Sequence, residues 1–299
     1  MRRNFFLISK IVIASGLMLG LFLWLDSHYD WNELLTRWNS VDKTLIAICV
    51  ALVCLSHFLR AYRIYYSYSA NEKVRLLDVC AVSLSHNTLS SLLPMKLGEL
   101  ALPILSKHKL NIGLGKSAVT LLLIRLLDAH VLMVFVLFFA ANIWLDSYGL
   151  ILSIGFLLLT PAMVPIARRL TTLHPKLEPL GDIFANIKLL LMLYIQSILI
   201  WSVKLTAFAL IALSLGNLAI DHAWLATIIA DASALSPITG FANTGTYEVA
   251  FVAPLLPLGY SSDELVKIAL NLHIFVFITN LLAGASGALL LLLPSKKLP

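Results

Sequence analysis

The sequence predicts an all-α polytopic membrane protein. It is expected to have six transmembrane helices and two oppositely oriented re-entrant helical hairpins, arranged as an inverted repeat. Three observations predict this. First, the 299 residues are 60% hydrophobic and 13% charged. A soluble domain carries about 25% charged residues, and half that charge cannot wet a globule of this size, so the chain needs an apolar solvent. Second, six stretches reach the ~20 apolar residues that a span requires: 5–25, 44–67, 117–145, 149–167, 189–215 and 265–293. Third, two further stretches, 77–106 and 223–258, are apolar at their ends but polar and broken in the middle. The same composition excludes a soluble enzyme, a nucleic-acid module and a disordered scaffold. The net charge of +6 suits cytoplasmic flanks of spans, not nucleic acid.

The first stretch follows Met1-Arg2-Arg3, as a signal peptide would. It holds Lys10 and lacks a small-x-small cleavage site before Asp26, so a retained span is expected. The basic residues then set the topology. Fifteen of the 22 are expected on one side: Arg2, Arg3, Arg60, Arg63, Lys73, Arg75, Lys107, Lys109, Lys116, Arg168, Arg169, Lys176, Lys188, Lys296 and Lys297. Only Arg37, Lys43 and Lys267 flank the other, and Lys10, Lys96, Arg125 and Lys204 fall inside apolar segments. Positive flanks face the cytoplasm, which puts both termini there. Asp26, Asp30, Glu33, Asp42, Asp146, Asp221, Asp263 and Glu264 then lie outside.

This sorting holds only if 77–106 and 223–258 do not cross. The first has Lys73 and Arg75 before it and Lys107 and Lys109 after it; a single crossing would carry one pair outside. Its centre is His86, Asn87, Thr88, Ser90, Ser91, Pro94, Lys96, Gly98 and Glu99. Irregular backbone at membrane depth survives only where protein or a water-filled cavity satisfies it, so a hairpin entering from the cytoplasm is predicted. The second stretch is broken at Asp231, Ser233, Ser236, Pro237, Thr239, Gly240, Asn243, Thr244, Gly245, Thr246 and Glu248 and is predicted to enter from outside. Pro94, Gly98, Pro237, Gly240 and Gly245 are the hinge positions. Span, hairpin and span then recur in opposite orientation, 44–145 and 189–293, within one integral membrane domain covering 1–299. Paired broken segments of this kind point to a transport site near the midplane. The connector 168–188 is expected on the cytoplasmic side, either as an amphipathic turn on the leaflet or as an ordinary loop.

Ionisable groups inside spans cost about 2.5–3.5 kcal/mol at a helix centre on insertion scales, so those present are candidate substrate- or ion-binding residues: Lys96, Glu99, Arg125, Asp128, Lys204, Asp231 and Glu248, with Asn87 beside them. Glu99 and Glu248 follow the two breaks; each either lines a cavity, holding a proton, cation or headgroup amine, or caps a half-helix. Lys96 either holds a lipid phosphate, aided by half-helix N-termini, or pairs with Glu99 three residues on. Arg125 and Asp128 read as an ion pair, with Arg125 a phosphate fork if Asp128 pairs elsewhere. Lys204, beside Trp201, reads as a counter-ion to Glu248 or Asp231, or as a phosphate ligand. His57, His86, His130 and His273 stand singly and read as core histidines. Cys49, Cys54 and Cys80 read as small hydrophobes. No metal site, cofactor or catalytic set is expected, since HExxH and GxSxG are absent. Gly113-Leu114-Gly115-Lys116-Ser117 ends like a P-loop, but Leu110 stands where its first glycine belongs.

Asn87 with Leu93-Pro94-x-Lys96-x-Gly98-Glu99, then Arg125-Leu126-Leu127-Asp128, then Pro237 and Gly245-Thr246-Tyr247-Glu248, resemble the lysylphosphatidylglycerol synthase transmembrane-region family, also called the flippase-like domain. The resemblance covers nearly the whole chain. It departs at Lys96, where arginine is common, at Leu102 and Ile124, and in a last span with His273 and no arginine. It implies an inner-membrane protein that moves or handles a phospholipid or polyprenyl-linked lipid, with a glycosyltransferase or lipid synthase as partner. No soluble synthase domain is expected after the last span. The expected function is translocation of such a lipid without an ATPase. The alternatives are an integral-membrane glycosyl or acyl transferase with an intramembrane carboxylate as base, or an assembly partner of a soluble transferase.

Overall fold

The computed structural model describes residues 23, 26–27, 31–69, 72–145, 148–158, 169, 186–235 and 240–294. Among the described residues every regular element is helical. In chain order the α-helices are α1 (Trp31–Thr36), α2 (Lys43–Ser69), α3 (Leu76–Leu92), α4 (Ala101–Leu110), α5 (Leu114–Trp144), α6 (Tyr148–Leu158), α7 (Ile187–Leu215), α8 (Ile220–Ala232), α9 (Thr246–Val252) and α10 (Ser262–Leu292). Four of them, α2, α5, α7 and α10, are long and apolar enough to cross a membrane, at 27, 31, 29 and 31 residues. At ~1.5 Å per residue each exceeds the ~30 Å hydrocarbon core. Their bounds enclose or nearly match the predicted spans 44–67, 117–145, 189–215 and 265–293. The predicted span 149–167 is helical over Tyr148–Leu158, and its remainder lies outside the described residues. So do nearly all of 5–25 and of the connector 168–188, together with the hinge Pro237.

Helix starts follow local chemistry. Asp42 Oδ1 accepts the Thr44 amide at 2.9 Å ahead of α2. Asn186 Oδ1 accepts the Leu189 amide at 3.1 Å ahead of α7. Both are side-chain caps on amides that would otherwise lack a partner. Asp263 and Glu264 occupy the first turn of α10, where the helix dipole favours negative charge.

The two broken stretches are helical hairpins whose ends meet. The first is α3, a 3-10 turn at Pro94–Leu100, then α4. Asp78, in the first turn of α3, lies 3.8 Å from Lys109 at the end of α4. The second is α8, 3-10 turns at Ser233–Leu235 and Phe241–Asn243, then α9 and a turn at Leu256–Leu258. At its base Tyr260 Oη lies 2.9 Å from His222 Nδ1 and accepts the Ala219 amide at 3.2 Å.

The chain forms two compact units. The first comprises Met1–Val53, Asn87–Leu100 and Leu205–Gly284. Its core gathers Cys49, Val53, Phe208, Phe251, Leu272 and Phe275. Arg37 grips Glu264 with both guanidinium nitrogens at 2.8 Å and donates to the Leu215 carbonyl at 3.2 Å, so the end of α7 and the start of α10 are held together. Trp38 donates to Asn271 Oδ1 at 2.7 Å. Thr88 donates to the Asn280 carbonyl at 2.7 Å, and Gly284 lets its backbone lie against the Thr88 side chain. The turn Pro94–Leu100 packs against the turn Phe241–Asn243.

The second unit comprises Cys54–His86, Ala101–Lys204 and Ala285–Pro299. Its cores are built on Ile64, Tyr68, Val82, Leu102 and Ile124, and on Leu123, Leu127, Leu190 and Leu193. Buried Tyr68 reaches Ser117 at 2.6 Å and Ser106 at 3.2 Å through its hydroxyl. Lys109 donates to the carbonyls of Leu291, at 3.1 Å, and Leu293. It thereby satisfies the end of α10, which has no further helical turn to do so. Lys116 pairs with Glu72 at 3.0 Å on the surface.

A tight backbone approach lies in the first hairpin. A β-carbon on Gly98 would overlap the Leu89 carbonyl and Ser90 Cα, whereas one on Gly115, in the first turn of α5, would meet nothing within 4 Å. Gly98→Ala should therefore cost about 3 kcal/mol or more, while Gly115→Ala should be neutral or stabilise by up to ~1 kcal/mol. Thermal unfolding of the two variants in nanodiscs checks this; equal midpoints would contradict the close approach.

Candidate functional site

Two groups of buried polar side chains stand out, one in each unit. In the first unit they gather at the hairpin turns. The break after α8 leaves backbone amides and carbonyls without helical partners, and short polar side chains answer them. Ser233 donates to the Ala230 carbonyl at 2.6 Å, Asn243 Nδ2 to Ser233 Oγ at 3.0 Å, Thr244 to the Phe241 carbonyl at 2.7 Å, and Thr246 to Asn243 Oδ1 at 2.7 Å. Gly245 has φ 84, a conformation glycine adopts at little cost, and this turns the chain into α9. Glu248 is buried, 7% exposed. Its Oε2 accepts the Gly245 amide at 2.7 Å, and its Oε1 lies 2.6 Å from His273 Nδ1 on α10. His273 Nε2 lies 2.9 Å from the Ala242 carbonyl, and the imidazole stacks on the Tyr247 ring at 4.5 Å.

The imidazole thus bridges the two turns of this hairpin: one ring nitrogen meets the Glu248 carboxyl and the other the Ala242 carbonyl, which can only accept. The Tyr247 hydroxyl, buried beside them, makes no hydrogen bond, and Asp231 and Glu248 are the charges that bear on it.

The first hairpin turn lies in the same unit. Ser90 donates to Glu99 Oε1 at 2.6 Å, closing the turn across nine residues. Lys96 sits at φ 62, a left-handed conformation that costs a side-chain-bearing residue roughly 1–2 kcal/mol. Buried Asn87 Nδ2 makes no hydrogen bond.

In the second unit the centre is Asp128 on α5, fully buried. Arg63 on α2 grips it with two nitrogens at 2.6 and 3.1 Å and also donates to Ser197 on α7. One guanidinium thus ties three long helices. Arg125, one turn before Asp128, stands 3.9 Å from it. Arg60 lies 4.8 Å above the Trp201 ring, and Lys204 Nζ lies 5.1 Å from the same ring. No group of three or more histidine, cysteine, aspartate or glutamate side chains able to hold a metal occurs among the described residues.

Residues 8–284 match the profile of the lysylphosphatidylglycerol synthase transmembrane region. The chain belongs to this family. No curated protein and no solved structure matches it. Membership makes it a multi-pass membrane protein of lipid synthesis or translocation.

For this family member, the candidate residues from sequence divide between the units. Asn87, Lys96, Glu99, Asp231, Glu248 and the hinges Pro94, Gly98, Gly240 and Gly245 belong to the first unit; Arg125, Asp128 and Lys204 belong to the second. The Arg125–Asp128 pair is present, but the closer partner of Asp128 is Arg63. Arg60 and Arg63, expected as cytoplasmic flanks, are instead buried at 8% and 2% exposure, nine and six residues before the end of α2. Glu248 caps its helix as one of the two expected readings had it, and it also holds His273, expected as a core histidine. The signal for Arg60 and Arg63 was their spacing: with His57 they recur every three residues in an apolar helix, which places them on one face.

The two contacts of Glu248 predict how the pair answers substitution. Glu248→Gln keeps both contacts, because the glutamine amide donates to Nδ1 and its oxygen accepts from Gly245. It should cost less than about 1 kcal/mol. His273→Ala leaves a buried carboxyl without its side-chain partner and should cost about 3 kcal/mol. Unfolding midpoints in nanodiscs measure both, and a His273→Ala variant as stable as Glu248→Gln would mean that the imidazole is no partner of the carboxyl.

Proposed function

We propose that this protein is a lipid translocase of the inner membrane. It would pass the headgroup of a phospholipid or a polyprenyl-phosphate-linked lipid between leaflets while the tail stays in lipid. The observation that carries the reading is the pair of helical hairpins, each closed at its base and each polar and irregular at its turn, with the two turns packed on each other. Such backbone is tolerated at membrane depth only against protein or a water-filled path, and paired broken helices mark transport sites.

In this reading the six spans and two hairpins form an inverted repeat. The first hairpin enters from the cytoplasm and the second from outside, and both termini are cytoplasmic. Two sets of contacts support it. Arg37, Glu264 and the end of α7, all assigned outside by charge, meet in one unit. Arg75, Lys109 and the end of α10, all assigned inside, gather around Asp78 in the other. A proton taken up at Glu248 and His273 is the proposed coupling ion, and a glycosyltransferase or lipid synthase is the proposed partner. One observation favours the transferase alternative: a buried carboxyl bound to an imidazole is also the composition of a general base.

Three measurements follow. Cysteines at Lys73 and His108, both exposed, should resist an impermeant reagent added outside and react once the membrane is opened. Labelling of only one from outside would mean that the first hairpin crosses. In proteoliposomes the protein should move a labelled anionic phospholipid between leaflets without changing its mass, faster with a pH gradient. A new covalent product without leaflet exchange would overturn translocation in favour of transfer. Glu99→Gln keeps an oxygen for Ser90 but removes the charge, and it should slow exchange at least about tenfold with insertion unchanged; full exchange would make Glu99 structural.

A further inference from the structure

The second unit carries a buried cluster that the hairpins do not use. His57, Arg60 and Arg63 stand at i, i+3 and i+6 on α2, and Ser197, Trp201 and Lys204 stand at i, i+4 and i+7 on α7, so each set occupies one helix face. The faces meet: Arg63 bonds Ser197, Arg60 lies over Trp201 at 4.8 Å and Lys204 at 5.1 Å from the same ring. Arg60 and Lys204 are also the charges that bear on His57. Three buried nitrogens here make no hydrogen bond: His57 Nδ1, Arg63 Nε and Trp201 Nε1. Their residues are 6%, 2% and 4% exposed. Arg63 Nε and Trp201 Nε1 can only donate. Buried donors are seldom left unanswered, because each forfeits its solvation. What Arg63 Nε and Trp201 Nε1 lack is an acceptor.

We infer that the facing stripes of α2 and α7 form an oxyanion site for a phosphate group. A phosphate offers several acceptor oxygens at once, and its charge suits a cluster of guanidinium and ammonium groups. The indole supplies a neutral donor on one edge and a face on which two cations rest. Asp128 neutralises Arg63 and fixes its orientation, leaving Nε as its open donor. As a headgroup station on a transport route the site rests on the translocase reading; as an anion site it stands on these contacts alone. The phosphate is carried by a lipid or is free in solution.

Native mass spectrometry of the full chain in detergent distinguishes the sources. The probes are dioleoyl phosphatidylglycerol, dioleoylglycerol, which has the same tails and no phosphate, and inorganic phosphate. Phosphatidylglycerol should be retained at least about tenfold more tightly than dioleoylglycerol. Arg60→Met and Lys204→Met should each weaken it about tenfold. Trp201→Phe, which keeps the ring and loses only the N–H donor, should weaken it about threefold and serves should either cation variant fail to fold. Lys116→Met, at the exposed pair with Glu72, should bind as the parent does. Equal retention of dioleoylglycerol, or undiminished binding by the folded variants, overturns the site. Binding of inorganic phosphate alone, lost in the same variants, keeps the oxyanion site and overturns a lipid as its source. Leaflet exchange separates the two proposals. Exchange that persists in Arg60→Met after binding is lost takes the site off the route and leaves the translocase standing. Phosphate-dependent binding by a parent protein that exchanges nothing does the reverse.

Discussion

A polar group away from water must be answered by the protein itself, and this constraint shapes both units. Where helices run unbroken the backbone answers itself, and an apolar sequence suffices. Where they break, side chains take over. The turn between α8 and α9 is held by Ser233, Asn243, Thr244 and Thr246 within a few residues of one another, and Glu248 returns to the Gly245 amide. At the first hairpin the chain closes on itself at Gly98 so tightly that no side chain fits, and Ser90 meets Glu99. The polar residues that mark these breaks in the sequence are the ones that make the breaks stable.

The same constraint governs the charges. Arg63 and Asp128 would each be costly alone in the interior of the second unit, and removing either strands the other. Paired, they join α2, α5 and α7 through one guanidinium, with Ser197 taking a further donor. Glu248 answers the same demand with two neighbours, the Gly245 amide and the His273 imidazole, which joins α9 to α10. One unit thus holds an arginine–aspartate pair and the other a glutamate–histidine contact.

This division explains what the sequence disclosed. Long helices were legible because about 20 consecutive apolar residues have few other interpretations, and α2, α5, α7 and α10 fall where those runs lie. The breaks in 77–106 and 223–258 were legible from their polar centres, where 3-10 turns interrupt the helices. Partners were not. Arg63 meets Asp128 across 65 residues and His273 meets Glu248 across 25, and no local pattern reports such a contact. Counting positive charge for topology also treats Arg60 and Arg63 as flanks, since a count cannot distinguish a side chain at the membrane edge from one folded against a neighbouring helix. Helical spacing carried that information: a face bearing His57, Arg60 and Arg63 would be ruinous toward lipid and therefore had to turn inward.

Backbone strain in the first unit falls at the same turns. Lys96, Ala242 and Asn243 adopt left-handed φ values of 62, 52 and 65. Asparagine takes this conformation readily; alanine and lysine pay roughly 1–2 kcal/mol for it. Glycine at either position would relieve that cost, so conformational ease does not explain these residues. At Ala242 the left-handed turn coincides with a carbonyl 2.9 Å from His273 Nε2, which ties the strained peptide to the Glu248–His273 contact. At Lys96 it coincides with the only ammonium group on the first hairpin turn. The two turns pack against each other, so the strained residues of both hairpins lie within one small region, alongside Glu99 and Glu248. Strain of this kind persists where the surroundings over-determine the backbone, and it gathers at sites that bind and switch. Backbone ease alone would favour glycine at Lys96 and Ala242; their strain is held by the packing of one turn on the other.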